Sequence, residues 1–95
     1  MIIRKRARVY TEAEIAAAID AHVEAQARSM GYNDASACAG YVSSKVQTWA
    51  AEARAFIAWR DDVWTAAFAL QAQHAEAGTV PTLDDVLAAL PEWSE

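Results

Sequence analysis

Cys38 is the only cysteine in the chain. No intramolecular disulfide can form, which fits a reducing compartment. The three glycines, Gly31, Gly40 and Gly78, are isolated. They make no Gly-rich phosphate loop. Histidine is equally scarce. Neither His22 nor His74 has a second His or Cys three or four residues away, so metal-ligand spacing is missing. Asp61 and Asp62 are adjacent on a predicted helix and point in different directions, so they cannot clamp one ion alone. A Cys–His nucleophile pair needs an orienting group and an oxyanion site, and no local pattern points to either. The expectation is therefore a protein with no enzymatic activity, no cofactor and no metal. No apolar run reaches the length of a membrane span. The first residues are basic, but no hydrophobic core follows them, so they do not read as a secretory signal.

Basic residues are also scarce outside one short run. Arg4, Lys5, Arg6 and Arg8 account for four of the eight, and the chain from Val9 onward holds four basic and thirteen acidic residues. A body this acidic is a poor nucleic-acid binder. The basic run could meet phosphate, but such runs are usually solvated arms or contacts for an acidic partner.

What the chain does have is one long uninterrupted stretch. From Val46 to Ala77 there is no Gly or Pro, and Ala, Leu, Gln, Glu and Arg dominate. Val46, Ala53, Arg60, Ala67 and His74 fall at one seam position of a heptad. Trp49, Phe56, Val63 and Leu70 fall at the other. Ile57, Trp64 and Phe68 widen the stripe on one flank, and Trp59 widens it on the other. The pattern predicts a central helix over about 45–77, packed by more than one neighbour. At 1.5 Å per residue it spans roughly 50 Å, so part of it should project from the monomer or meet another chain. Ser44 and Gln47 have capping-box spacing, and Gly78 sits where a left-handed C-terminal residue is wanted. Arg60 is out of place on an apolar seam. Either its stem packs while its head reaches solvent or a carboxylate, or it anchors an inter-chain contact beside Trp59 and Trp64.

The remaining elements are shorter. Met1–Tyr10 alternates apolar and basic residues, which predicts an extended arm suited to strand addition or a disordered terminus. Residues 11–95 then form a single domain. Thr11 and Glu14 form a capping box for a helix over about 12–30, with Ile15, Ile19, His22 or Val23, Gln26 and Met30 inside. Asp20, Glu24 and Arg28 follow an outer line. A short helix is expected over about 33–40, and a last one over about 83–90, capped by Thr82 and Asp85 and stopped by Pro91. Val86, Leu87 and Leu90 mark its inner face, and Trp93 should pack back on the body. Cys38 reads as a small packing residue, and His74 as a cation or donor at the end of the central helix. Fold class is all-α.

Two segments carry a resemblance. AEARAFIAWRDDVW, Ala51–Trp64, and VPTLDDVLAALPEW, Val80–Trp93, resemble a small helical domain of bacteriophage and prophage tail-module proteins. Glu52, Phe56, Trp59, Arg60, Asp61, Val63, Trp64, Pro81, Leu90 and Pro91 match its pattern. Tyr32–Gly40 matches an upstream segment loosely, and the basic arm lies outside. The resemblance implies a non-enzymatic tail component, in the tail-fibre or baseplate region, acting through protein–protein contacts and assembling as a homo-oligomer. It implies a virion-tail role without saying whether the chain stays in the particle; the expected location is the virion tail, with the host cytoplasm before assembly. Arg4, Lys5, Arg6, Arg8, Trp59, Arg60 and Trp64 are the candidate partner-binding residues. An alternative is a tail-fibre assembly chaperone that leaves before the particle is complete. That reading expects an exposed groove lined by Trp59 and Trp64. A third is a nucleic-acid-binding regulator that uses the basic arm, against the charge of the body.

Overall fold

The computed structural model describes residues 10–94, so the expected arm over residues 1–9 lies outside the described part. Four α-helices follow in order: α1 Glu12–Ser29, α2 Ala35–Gly40, α3 Gln47–Ala77 and α4 Leu83–Ala89. A single 3₁₀ turn, Tyr41–Ser43, joins α2 to the approach to α3. No strand occurs among the described residues. The fold is all-α, built around one long helix.

Local chemistry sets most of the ends. Thr11 accepts from the Glu14 amide while the Glu14 carboxylate accepts from the Thr11 amide, a complete capping box. Thr82 and Asp85 form the same box on α4. Asp34 caps α2 through the Ala37 amide at 2.7 Å. Gly78 closes α3 in the left-handed region at φ 71°, and the Thr79 amide bonds back to the His74 carbonyl at 2.9 Å. His74 Nδ1 lies 2.7 Å from Thr79 Oγ1, a second tie at the same end.

α1 and α3 run antiparallel. Gln71 Nε2 donates to Glu12 at one end (3.2 Å), and the Tyr32 hydroxyl donates to Glu52 at the other (2.8 Å). The core lies between them. Ile19, Val23 and Ala27 of α1 meet Phe56, Trp59 and Val63 of α3, with Ala35 and Cys38 of α2 and Val86 and Leu90 from α4 and its end. Phe56 and Val63 have no exposed surface. The molecule measures 61 × 33 × 22 Å and has a radius of gyration of 16.4 Å, against roughly 12 Å for a compact chain of this size. It is elongated because α3 outruns its partners.

Several expectations need correction. α3 begins at Gln47, and Val46 rather than Ser44 is its N-cap, without a side-chain bond. Ser44 instead accepts from the Val46 amide at 3.0 Å, holding the turn out of the 3₁₀ segment. Val46 and Trp49 were expected on the buried seam, yet they are 40% and 47% exposed. The first turns of α3 pack against α2 and the 3₁₀ turn, and the residues buried there are Ala50 and Ala53. Small residues let the backbones approach closely, and that rotates Trp49 outward. Leu87 is exposed for a similar reason: Val86 and Leu90 fill the inner face of α4. On α1, Val23 and Ala27 are buried, while His22 is exposed with its ring 5.6 Å from that of Trp59. Glu24 does more than follow an outer line. Its carboxylate accepts from the Ala35 amide at 2.9 Å and so ties α1 to the start of α2, while its contact with Arg28 is long at 4.0 Å.

Candidate functional site: two exposed apolar surfaces on one helix

The first surface is a knob at the start of α3. Ring centroids step from Tyr32 to Tyr41 and from Tyr41 to Trp49, each 5.5 Å apart. The innermost ring is anchored, because Tyr32 bonds Glu52. Burial and that bond to the Glu52 carboxylate push the Tyr32 phenol up to about 12, so it stays a neutral donor. The outermost ring, Trp49, stands half exposed beside Val42 and Val46. Below the ladder is Cys38, fully buried. Burial pushes its thiol up, with the Glu52 charge adding to the shift. A thiol held protonated and out of reach is a packing group rather than a nucleophile.

The second surface is a groove at the other end. Ile15, Ala16 and Ile19 of α1 form one wall, Trp64, Ala67 and Phe68 of α3 the other, and Val80, Pro81 and Val86 the floor near α4. Tyr10 lies at its mouth. Its volume is about 380 Å³, at the small end of the ~300–1,000 Å³ range of clefts that take compact groups. Trp64 is half-buried and its ring lies tilted against that of Phe68, 5.9 Å between centroids. Phe68 is 61% exposed and Val80 is 65% exposed. Large apolar side chains left this open, in a group, mark interaction sites.

Charge is unevenly spread along the sequence. Residues 28–60 hold four basic and two acidic side chains. Residues 10–27 hold four acidic and no basic ones, and residues 61–95 hold seven acidic and no basic ones. Glu12 lines the groove, while Glu24 reaches the start of α2 and Glu92 lies with Trp59 and Ser29. The knob has Lys45 near it in sequence and the Glu52 carboxylate at its foot.

The structure separates the residues expected to bind a partner. Arg4, Lys5, Arg6 and Arg8 lie outside the described residues. Trp59 is a core residue, 8% exposed. Its indole N–H donates to the Pro91 carbonyl at 2.9 Å, and Trp93 packs edge-on against it at 5.8 Å. The expected groove lined by Trp59 and Trp64 is therefore not formed: these two side chains do not share a surface. Only Trp64 lines the apolar groove, with Phe68 in the place given to Trp59. Arg60 has a side chain one-third exposed, and its nearest carboxylate is that of its neighbour Asp61, at 4.0 Å. It reaches solvent along the helix rather than bridging to another element. Trp49, Phe68 and Val80 are the surface residues the pattern missed as such. Trp49 and Phe68 were placed on the apolar stripe, and nothing in their spacing distinguishes a covered position from an open one.

Among the described residues no group of His, Cys, Asp and Glu could hold a metal ion, and no helix is long and apolar enough to cross a membrane. The class defined so far is a small all-α domain with two separated apolar surfaces. Comparison with protein-family models, with curated proteins and with solved structures found no match to this chain.

Proposed function

We propose that the chain is a non-enzymatic bacteriophage tail component, a structural or adaptor piece of the tail-fibre or baseplate region that joins neighbouring tail proteins. The observation that carries this reading is the pair of exposed apolar surfaces at separate ends of α3. One surface per neighbour is what an adaptor requires. Buried aromatic anchors in pockets, rather than total area, dominate such contacts, and Trp49 and the Phe68 groove are an anchor and a pocket of that kind. The resemblance of Ala51–Trp64 and Val80–Trp93 to tail-module proteins supplies the setting.

A second reading is favoured by the groove itself. An open apolar cleft beside Trp64 and Phe68 suits transient capture of a tail-fibre segment, as an assembly chaperone does. Quantitative mass spectrometry of purified particles from the source separates the two. Several copies per particle are expected of a tail component. Abundance in the infected lysate with absence from particles would assign the chaperone role. Absence from both would remove the tail reading.

A further inference from the structure

We propose that a third surface, the cleft between the second half of α1 and the segment after α4, binds the guanidinium group of an arginine presented by a partner protein. The proposal does not depend on a role in tails.

The cleft has a volume of about 660 Å³. His22, Gln26 and Ser29 of α1 form one side, Trp59 of α3 the back, and Glu92 and Trp93 the other side. Its aromatic part is held in place. The Trp59 indole N–H donates to the Pro91 carbonyl at 2.9 Å, which fixes the backbone just before Glu92 and Trp93. Trp93 then stands nearly perpendicular to Trp59, at 87° with 5.8 Å between ring centroids. Trp59 is 8% exposed and Trp93 is half-buried, so Trp93 offers the open aromatic surface.

Hydrogen bonding and charge set the class of ligand. Two donors of the lining are already committed, the Trp59 N–H to Pro91 and the Ser29 hydroxyl to the Gln26 carbonyl at 2.7 Å. The Glu92 carboxylate is an acceptor only. It is exposed and has no hydrogen bond or ion pair among the described residues. No Lys or Arg lines the cleft. Arg28, next to Ser29, reaches toward α2, where its Nε donates to the Asn33 carbonyl at 3.4 Å. Arg60, next to Trp59, lies beside Asp61 at 4.0 Å. An anion would meet a carboxylate and no cation here. A flat cation rich in donors meets a ring to stack on, a carboxylate to pair with and the acceptor sides of Gln26 and Ser29. Guanidinium has all of these properties, whereas an ammonium lacks the plane.

The test is titration of the full chain with Nα-acetyl-arginine N-methylamide, whose only charge is the guanidinium. It is followed through the indole N–H signals of the four tryptophans in proton–nitrogen correlation NMR. The titration runs at about pH 8, above the ordinary histidine range. The Trp59 and Trp93 signals should shift saturably, with a Kd of about 1–10 mM, while those of Trp49 and Trp64 stay in place. The citrulline analogue has the same shape without the charge and should bind at least about threefold more weakly. Glu92→Gln alters an exposed side chain, so it should keep wild-type helicity by circular dichroism and weaken binding by a similar factor. Raised salt should bring the wild type toward that variant. No saturable shift up to about 50 mM overturns the proposal. Equal binding of the citrulline analogue overturns it in favour of a neutral polar ligand. Wild-type affinity in Glu92→Gln also overturns it, as do equal shifts at all four indoles, the mark of non-specific contact.

Discussion

The two parts of α3 have similar composition and different fates. Its five buried residues, Ala50, Ala53, Phe56, Trp59 and Val63, all lie before Trp64. From Trp64 to Ala77 there are large apolar side chains but none is buried. The first part is flanked by α2, the 3₁₀ turn, α1 and the α4 end. Among the described residues, the second part meets the first turns of α1, the loop into α4 and Val86 of α4. Amphipathic spacing creates an apolar stripe, but a stripe is buried only where another element lies across it. One part of the helix stabilises the fold. The other keeps its large apolar side chains at least partly exposed among the described residues.

The largest expected effect comes from breaking the covered part. Phe56→Ala removes a fully buried ring and should lower unfolding free energy by about 3–5 kcal/mol, measured by urea denaturation. Tyr32→Phe tests the foot of the ring ladder. Losing its bond to Glu52 should cost about 1 kcal/mol. The same phenol makes stability depend on pH in the alkaline range. Below pH 10.0, its ordinary value, it is protonated in both states and its contribution is fully present. As pH rises from there to about 12, its folded-state value, the unfolded chain gives up the proton first. Stability therefore falls across that window, and Tyr32→Phe should remove that component. Trp49→Ala should cost about 1 kcal/mol, the scale of its edge-on contact with Tyr41. A loss near that of Phe56→Ala would mean that Trp49 is covered after all. The smallest effect belongs to Phe68→Ala, within about 0.5 kcal/mol, because the ring has little to lose on the monomer. A fall of several kcal/mol there would erase the distinction between the two parts.

Element ends were legible because short-range chemistry sets them. Thr11 with Glu14, Thr82 with Asp85, and Gly78 each act within a few residues. The start of α3 was less legible, since Ser44 had a competing use in the turn out of the 3₁₀ segment. The site was harder still. Trp59 and Phe68 both read as flanking residues of the apolar stripe, and they end up on opposite sides of the distinction that matters. Trp59 is claimed by the Pro91 carbonyl and the Trp93 ring, from a segment more than thirty residues away along the chain. Phe68 has no such visitor. Arg60 was open to two readings, and its one-third exposed side chain beside Asp61 fits both.

The sequence by itself determined that the chain is helical, where its helices begin and end to within a residue or two, and that the body is acidic with its cations confined to a middle stretch. These follow from propensity, capping and composition, which are local. Tertiary structure alone decided which large apolar residues are core and which are surface. Burial is a property of neighbours in space. It was set when α1 folded back antiparallel along α3, leaving a knob at one end and a groove at the other.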